Sequence, residues 1–188
     1  MCWFLFKKRV RGEWSEANQA MGDAAQAFEG ILDTFTTGDA GILVKPASDQ
    51  DAHQARLEIE RALGDLPSAD ATWSVVIDET ETPHPWVIIT GSALPAVAGG
   101  VDAAGRAMVV AGLGARVLAA VYGFTWKEQK LFWIYQPRIK AFTPFVPARS
   151  GQEERDHPLE LRMEHAIRKE LPTSRDIKEW YPIWGIPL

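Results

Sequence analysis

The chain has 188 residues, 46 % hydrophobic and 24 % charged, a composition that fits one globular domain and excludes a disordered chain. Its single cysteine, Cys2, excludes an internal disulfide and a thiolate-rich zinc site, and points to a reducing compartment. The net charge of −5 is uneven: residues 1–12 carry four cations and no acid, residues 13–100 carry 15 acids against 3 bases, and residues 101–188 carry 13 bases against 10 acids, so no concentrated basic face is expected for nucleic acid.

Residues 1–12 form a segment of their own, in which Trp3, Phe4, Leu5 and Phe6 precede Lys7, Lys8, Arg9 and Arg11. An aromatic run beside cations suits an anionic membrane surface, so Trp3, Phe4, Leu5, Phe6, Lys7, Lys8 and Arg9 are candidate membrane contacts. The alternative is an edge strand packed on the domain. The run is too short for a signal-peptide core, and its charges follow it. No stretch long and apolar enough to span a membrane is visible.

Residues 13–188 read as one domain. Ser15 to Leu32 is expected to be a helix capped by Ser15, although Phe28 to Phe35 could be a strand. Gly41 to Val44 is a short strand ended by Pro46. A second helix runs to Leu63, with Leu57, Ala62 and Leu63 among its apolar positions and Glu58 and Glu60 outward. Strands follow at Trp73 to Asp78 and Trp86 to Thr90. Leu94 to Val110 is a glycine-weakened helix with Leu94, Val97, Val101 and Met108 on one face and Ser92 as its expected cap. Ala115 to Trp126 and Leu131 to Gln136 form a hairpin around Lys127 to Lys130. Ile139 to Val146 is a strand that Pro144 demotes to an edge. Asp156 caps a last helix, with Leu159, Met163, Ala166, Ile167 and Leu171 buried and Glu164 and Arg168 outside. This order implies an α+β fold: a mostly antiparallel sheet packed with three to four helices in a single pair of layers.

Catalytic patterns are absent from the sequence. His53, His84, His157 and His165 have no ligand partners at metal spacing. Ser92 lacks the flanking glycines of a nucleophile elbow. Gly112-Leu113-Gly114 lacks a third glycine and precedes a strand, so it reads as a tight turn. Asp78, Glu79 and Glu81 read as solvated acids in a hairpin linker. No cofactor and no enzymatic activity are expected. An aromatic and basic stretch remains, in which Tyr135, Arg138, Lys140, Phe142 and Phe145 are candidate partner contacts. The closing run Trp180-Tyr181-Pro182-Ile183-Trp184-Gly185-Ile186-Pro187-Leu188 is expected to fold back over the core, because a free tail of that apolarity would aggregate.

Several of these residues carry a resemblance. Leu131-Phe132-Trp133-Ile134-Tyr135, then Lys140-Ala141-Phe142-Thr143-Pro144-Phe145-Val146-Pro147, Arg155-Asp156, Glu170-Leu171-Pro172 and Glu179 to Leu188 resemble the PspA-associated protein PspAB family of the phage-shock membrane-stress system. Pro144, Pro147, Arg155, Asp156, Trp180, Pro182, Trp184 and Gly185 carry the signature. Ile139-Lys140-Ala141 and Thr143 depart from it. The resemblance supplies no catalytic residues. It implies a cytoplasmic, non-enzymatic adaptor or regulator of envelope stress, peripheral at the inner face of the membrane, working with a PspA-like coiled-coil protein. The residues leave other readings open: a small-ligand-binding or enzymatic domain near Arg116, Tyr135 and Lys140, and a dimeric, secretion-chaperone-like binding protein.

Overall fold

A computed structural model describes residues 2–46, 52–64, 71–78, 84–150 and 153–188, with side chains given from Gly12 onward except at Asp78. Among the described residues five α-helices and six strands follow one another as α1 (Cys2–Asp23), α2 (Ala25–Leu32), β1 (Phe35–Val44), α3 (Ala52–Leu63), β2 (Ala71–Asp78), β3 (His84–Gly91), α4 (Leu94–Val110), β4 (Val117–Trp126), β5 (Gln129–Gln136), β6 (Ala141–Phe145) and α5 (His157–Ile167). The strands form one sheet in the order β2-β3-β1-β4-β5-β6, and every neighbouring pair is antiparallel. The fold is therefore α+β as expected, with one helix more than the three to four anticipated. The extra helix comes from the stretch expected as one helix from Ser15 to Leu32, which is divided between two. Helix α1 starts at Cys2, well before Ser15, and α2 is a separate element whose end is set by Asp33 in a left-handed conformation. The edge-strand alternative for residues 3–6 does not hold, because their backbone is helical.

The sheet has two different faces. On one, Ala40, Ile42, Val87, Ile89, Tyr122, Phe124, Trp133 and Tyr135 meet the helices in the larger core. On the other, Trp86, Ala119, Val121, Phe132, Ile134 and Phe145 form a second cluster. Strand geometry produces this split, since successive side chains point to opposite faces. It also explains why Leu131 to Tyr135 is apolar or aromatic throughout: β5 is covered on both sides, and all five of those residues are buried. The cover on the second face is the chain's own C-terminal segment, through Ile183, Trp184, Ile186 and Leu188. The single pair of layers anticipated thus becomes helices, sheet and a thin apolar strap.

Helix α4 matches its expected bounds and its inward face. Its cap differs: Ala93, in extended backbone, holds the N-cap position with no side-chain bond, so Ser92 does not cap it. Pro95 in the first turn lacks an N–H that would otherwise need a partner. At the other end Gly112 has φ +87°, Leu113 N–H donates to Met108 O at 2.8 Å and Gly112 N–H to Val109 O at 3.2 Å. That pair of bonds is a Schellman stop, and it is what Gly112-Leu113-Gly114 is for.

Helix α3 buries Ala52, Ala55, Ile59 and Leu63, which leaves Leu57 55 % exposed. Leu57 is apolar but lies off the buried stripe, which is set by Ile59, two positions on and so across the helix. The β4–β5 turn places Lys127 at φ 45° and Glu128 at φ 65°, the paired left-handed geometry that suits a two-residue hairpin.

Candidate interaction surfaces

Helix α1 is fixed to the domain by Trp14. Its indole is 5 % exposed and Nε1 donates to Val101 O at 3.3 Å. The ring occupies the space over Gly105, where an added Cβ would come within 2.2 Å of it. At the next residue, Ser15 Oγ donates to Asp102 Oδ1 at 2.6 Å. Asn18 sits under the helix, donating to Trp14 O at 2.8 Å and accepting from the Tyr122 hydroxyl. Burial pushes the Tyr122 phenol well up, with Asp102 adding to the shift. Gly22 lies against Pro95 and Ala98, so the crossing with α4 is close-packed. The expected membrane contacts Trp3, Phe4, Leu5, Phe6, Lys7, Lys8 and Arg9 stand on the N-terminal part of this same helix; their side chains lie outside the described residues.

The expected partner contacts divide into two groups. Tyr135 is 2 % exposed, Phe142 0 % and Phe145 1 %. They are core residues. Tyr135 packs edge-on to Trp14 with ring centroids 5.8 Å apart and lies 5.1 Å from Phe142; Phe145 stacks on Phe132 and meets Trp184 edge-on at 5.0 Å. Burial, then Glu13 and Glu16, push the Tyr135 phenol up to about 12. The correction has a plain cause: a strand with aromatic side chains on both faces looks like a contact surface until both faces are seen to be covered. Arg138 and Lys140 do reach the surface. Arg138 pairs with Glu179 and Lys140 with Glu13 at 2.8 Å, with the cationic side chains 64 % and 46 % exposed.

Between Arg138 and α1 lies a groove of about 450 Å³. Trp14, Leu118, Tyr135, Pro137 and Arg138 are among its walls, and Leu118 is 41 % exposed. This groove was not legible in the sequence, since it needs Leu118 at the start of β4 beside Pro137 after β5. Arg116, expected beside Tyr135 and Lys140, instead lines a different opening of about 460 Å³ with Glu58 and Arg61. It donates from Nε to Lys45 O at 2.8 Å and from Nη1 to Glu58 Oε2 at 2.6 Å, which fastens the end of β1 to α3.

The signature residues build a clasp at the β6 edge. Arg155, with a side chain only 10 % exposed, donates from Nε to the fully buried Glu160 at 3.0 Å, from Nη1 to Trp180 O and from Nη2 to Pro144 O at 3.3 Å. Glu160 Oε1 also accepts the Val146 N–H at 2.8 Å, and His157 Nδ1 lies 3.0 Å from Oε2. Asp156 caps α5, accepting from Leu159 N–H at 3.0 Å, as expected. Trp180 is 4 % exposed and donates to Ser174 O at 2.9 Å. Pro147 O accepts from Gln129 at 3.0 Å. Pro182 and Gly185 are exposed, and Gly185 makes a left-handed bend, φ +69°, that a side chain would strain. Glu164, expected outside the α5 stripe, is 3 % exposed. It holds Arg168 at 2.6 Å and the Thr173 hydroxyl at 2.8 Å, tying the segment after α5 to the helix.

Among the described residues no group of three or more His, Cys, Asp or Glu side chains is placed to hold a metal ion, and Glu79 and Glu81 lie outside them. Among the described residues no helix is long and apolar enough to cross a membrane. Against known families, a model described as PspA associated protein B matches residues 4–188. No curated protein and no solved structure matches the chain.

Proposed function

This chain belongs to the PspA associated protein B family, and from that premise we propose that it is a non-catalytic adaptor of the membrane-stress response that binds a PspA-type protein and touches the inner membrane surface through residues 2–12. The match over nearly the whole chain is the observation that carries the reading. Two features support a division of labour. The apolar and basic residues 3–11 belong to the helix that Trp14 fixes to the domain, so a lipid-bound segment would hold the whole domain in one orientation. The groove of Trp14, Leu118, Pro137 and Arg138 would receive the partner. Exposed ion pairs such as Arg138–Glu179 and Lys140–Glu13 are worth roughly 0–1 kcal/mol, so both cations can be exchanged to acidic groups of a partner at little cost.

Two measurements separate the halves. Co-sedimentation with vesicles containing anionic lipid is expected for the full chain and lost on Lys7→Glu/Lys8→Glu/Arg9→Glu; equal pelleting of the two forms defeats the lipid half. Pull-down of a purified PspA homologue is expected to weaken for Leu118→Asp/Arg138→Glu, while the vesicle result stays unchanged. Undiminished capture by that variant defeats the groove half.

A further inference from the structure

The two edges of the sheet are treated differently. The outer edge of β6 is closed. Phe142 N–H donates to Pro172 O at 2.8 Å and Ser174 N–H donates to Phe142 O at 2.9 Å, while Asp156 N–H donates to Val146 O at 2.9 Å. Bridges at Phe142–Thr173 and Pro147–Arg155 complete the closure, and Pro144 offers no N–H. An edge blocked this way cannot template another strand.

Among the described residues the β2 edge carries none of these devices. Its ladder with β3 runs unbroken from Ala71–Gly91 to Asp78–His84, without a bulge, a proline or a lysine. Among the described residues no strand pairs with its other side. Its composition, Ala-Thr-Trp-Ser-Val-Val-Ile-Asp, is that of a good strand former. Val75 and Trp73 belong to the helix-side core, with Trp73 and Ile77 only half-buried at the rim, whereas Thr72 and Ser74 are exposed. An added strand would have to repeat that alternation, apolar toward α3 and polar on the other face.

We propose that β2 pairs antiparallel with β2 of a second copy of this chain, about a two-fold axis through Val75, to give a continuous twelve-stranded sheet. The strand is its own complement in this register. Trp73 falls opposite Ile77 on the helix side, and Ser74 falls opposite Val76 on the other. The only charged residue of the strand, Asp78, falls opposite Thr72, so no like charges meet within the ladder. The axis leaves the helices of both copies on the same side, as an isologous interface requires. Alternate residues from 72 to 78 would thereby pair backbone groups that β3 does not use.

Light scattering coupled to size exclusion, across a range of concentrations, tests this on the full chain. The expected mass rises with concentration toward twice the 20.9 kDa of one chain. Thr72→Glu/Ser74→Glu, two changes at exposed side chains that set an acid opposite Asp78 of the second copy, is expected to stay at the single-chain mass with unchanged circular dichroism. A wild-type mass that never leaves 20.9 kDa overturns the proposal, and so does a doubled mass that survives both added acids. Amide hydrogen exchange on the unaltered chain gives an independent reading: protection within residues 72–78 should increase with concentration, and protection that does not change overturns the pairing even if the variant fails to fold.

Discussion

Arg155 Nε and the backbone N–H of Val146 share one oxygen of Glu160, at 3.0 Å and 2.8 Å. A carboxylate with no exposure is thus held at once by a cation and by the end of the edge strand, and the same guanidinium reaches the carbonyls of Pro144 and Trp180. Removing one member of a buried pair leaves the other uncompensated, which costs about 3–5 kcal/mol. Arg155→Met should therefore lower the urea midpoint by that equivalent. Loss of the Trp180 near-ultraviolet signal should accompany it, because Trp180 O is one of the groups released.

Gly105→Ala tests the seat of Trp14. A methyl group there would come within 2.3 Å of two indole ring atoms. Overpacking of a filled core costs about 1–3 kcal/mol, which should outweigh the gain of about 1 kcal/mol that alanine brings to a helix interior. The expected outcome is a lower thermal midpoint, and a compensating Trp14→Leu in the same chain should restore part of it.

The strap over the second sheet face should be separable from the helix-side core. Trp184→Ala removes the ring that meets Phe145 edge-on at 5.0 Å. A cost of about 2–4 kcal/mol is expected, toward the low end of the large-aromatic range because the indole is only half-buried. The variant should bind an apolar dye more strongly while keeping its helical circular dichroism. Full retention of stability would mean that the face is covered by something else.

Stability should fall on the alkaline side. The Tyr135 phenol is raised to about 12, and Tyr122 is raised as well. The unfolded chain therefore releases these protons first, near pH 10, so stability present below that pH declines as it rises toward 12. Urea midpoints at pH 8 and pH 11 should show the decline in the wild type. Tyr135→Phe, which gives up only a 3.5 Å bond to Glu13 O, should lose less stability between those two values.

The sequence carried some of these relationships and hid others. Leu94, Val97, Val101 and Met108 were readable because helical spacing is local. Leu159, Met163 and Ile167 were readable on the same ground, and Pro144 marked β6 as an edge. The fold-back of the Trp180 to Leu188 run followed from the cost of exposing it. What could not be read depended on distant partners. Tyr135, Phe142 and Phe145 have the residue types of a contact surface, and only the strap and α1 show them to be interior. Glu164 looked like a solvent acid because its Thr173 partner lies beyond the helix. The groove at Leu118 and Pro137 joins the ends of two strands, and no spacing rule foretells it.

The position of the strap also bears on how the protein is made. Residues 183–188 are translated after all six strands they help to cover. Until they leave the ribosome, the face of Trp86, Phe132, Ile134 and Phe145 has no lid, and a chain stalled or clipped just short of Trp184 would display that aromatic surface in an otherwise assembled sheet. Such surfaces recruit chaperones and proteases. Translation through Trp184 and Leu188 therefore closes the last exposed aromatic face of the described sheet.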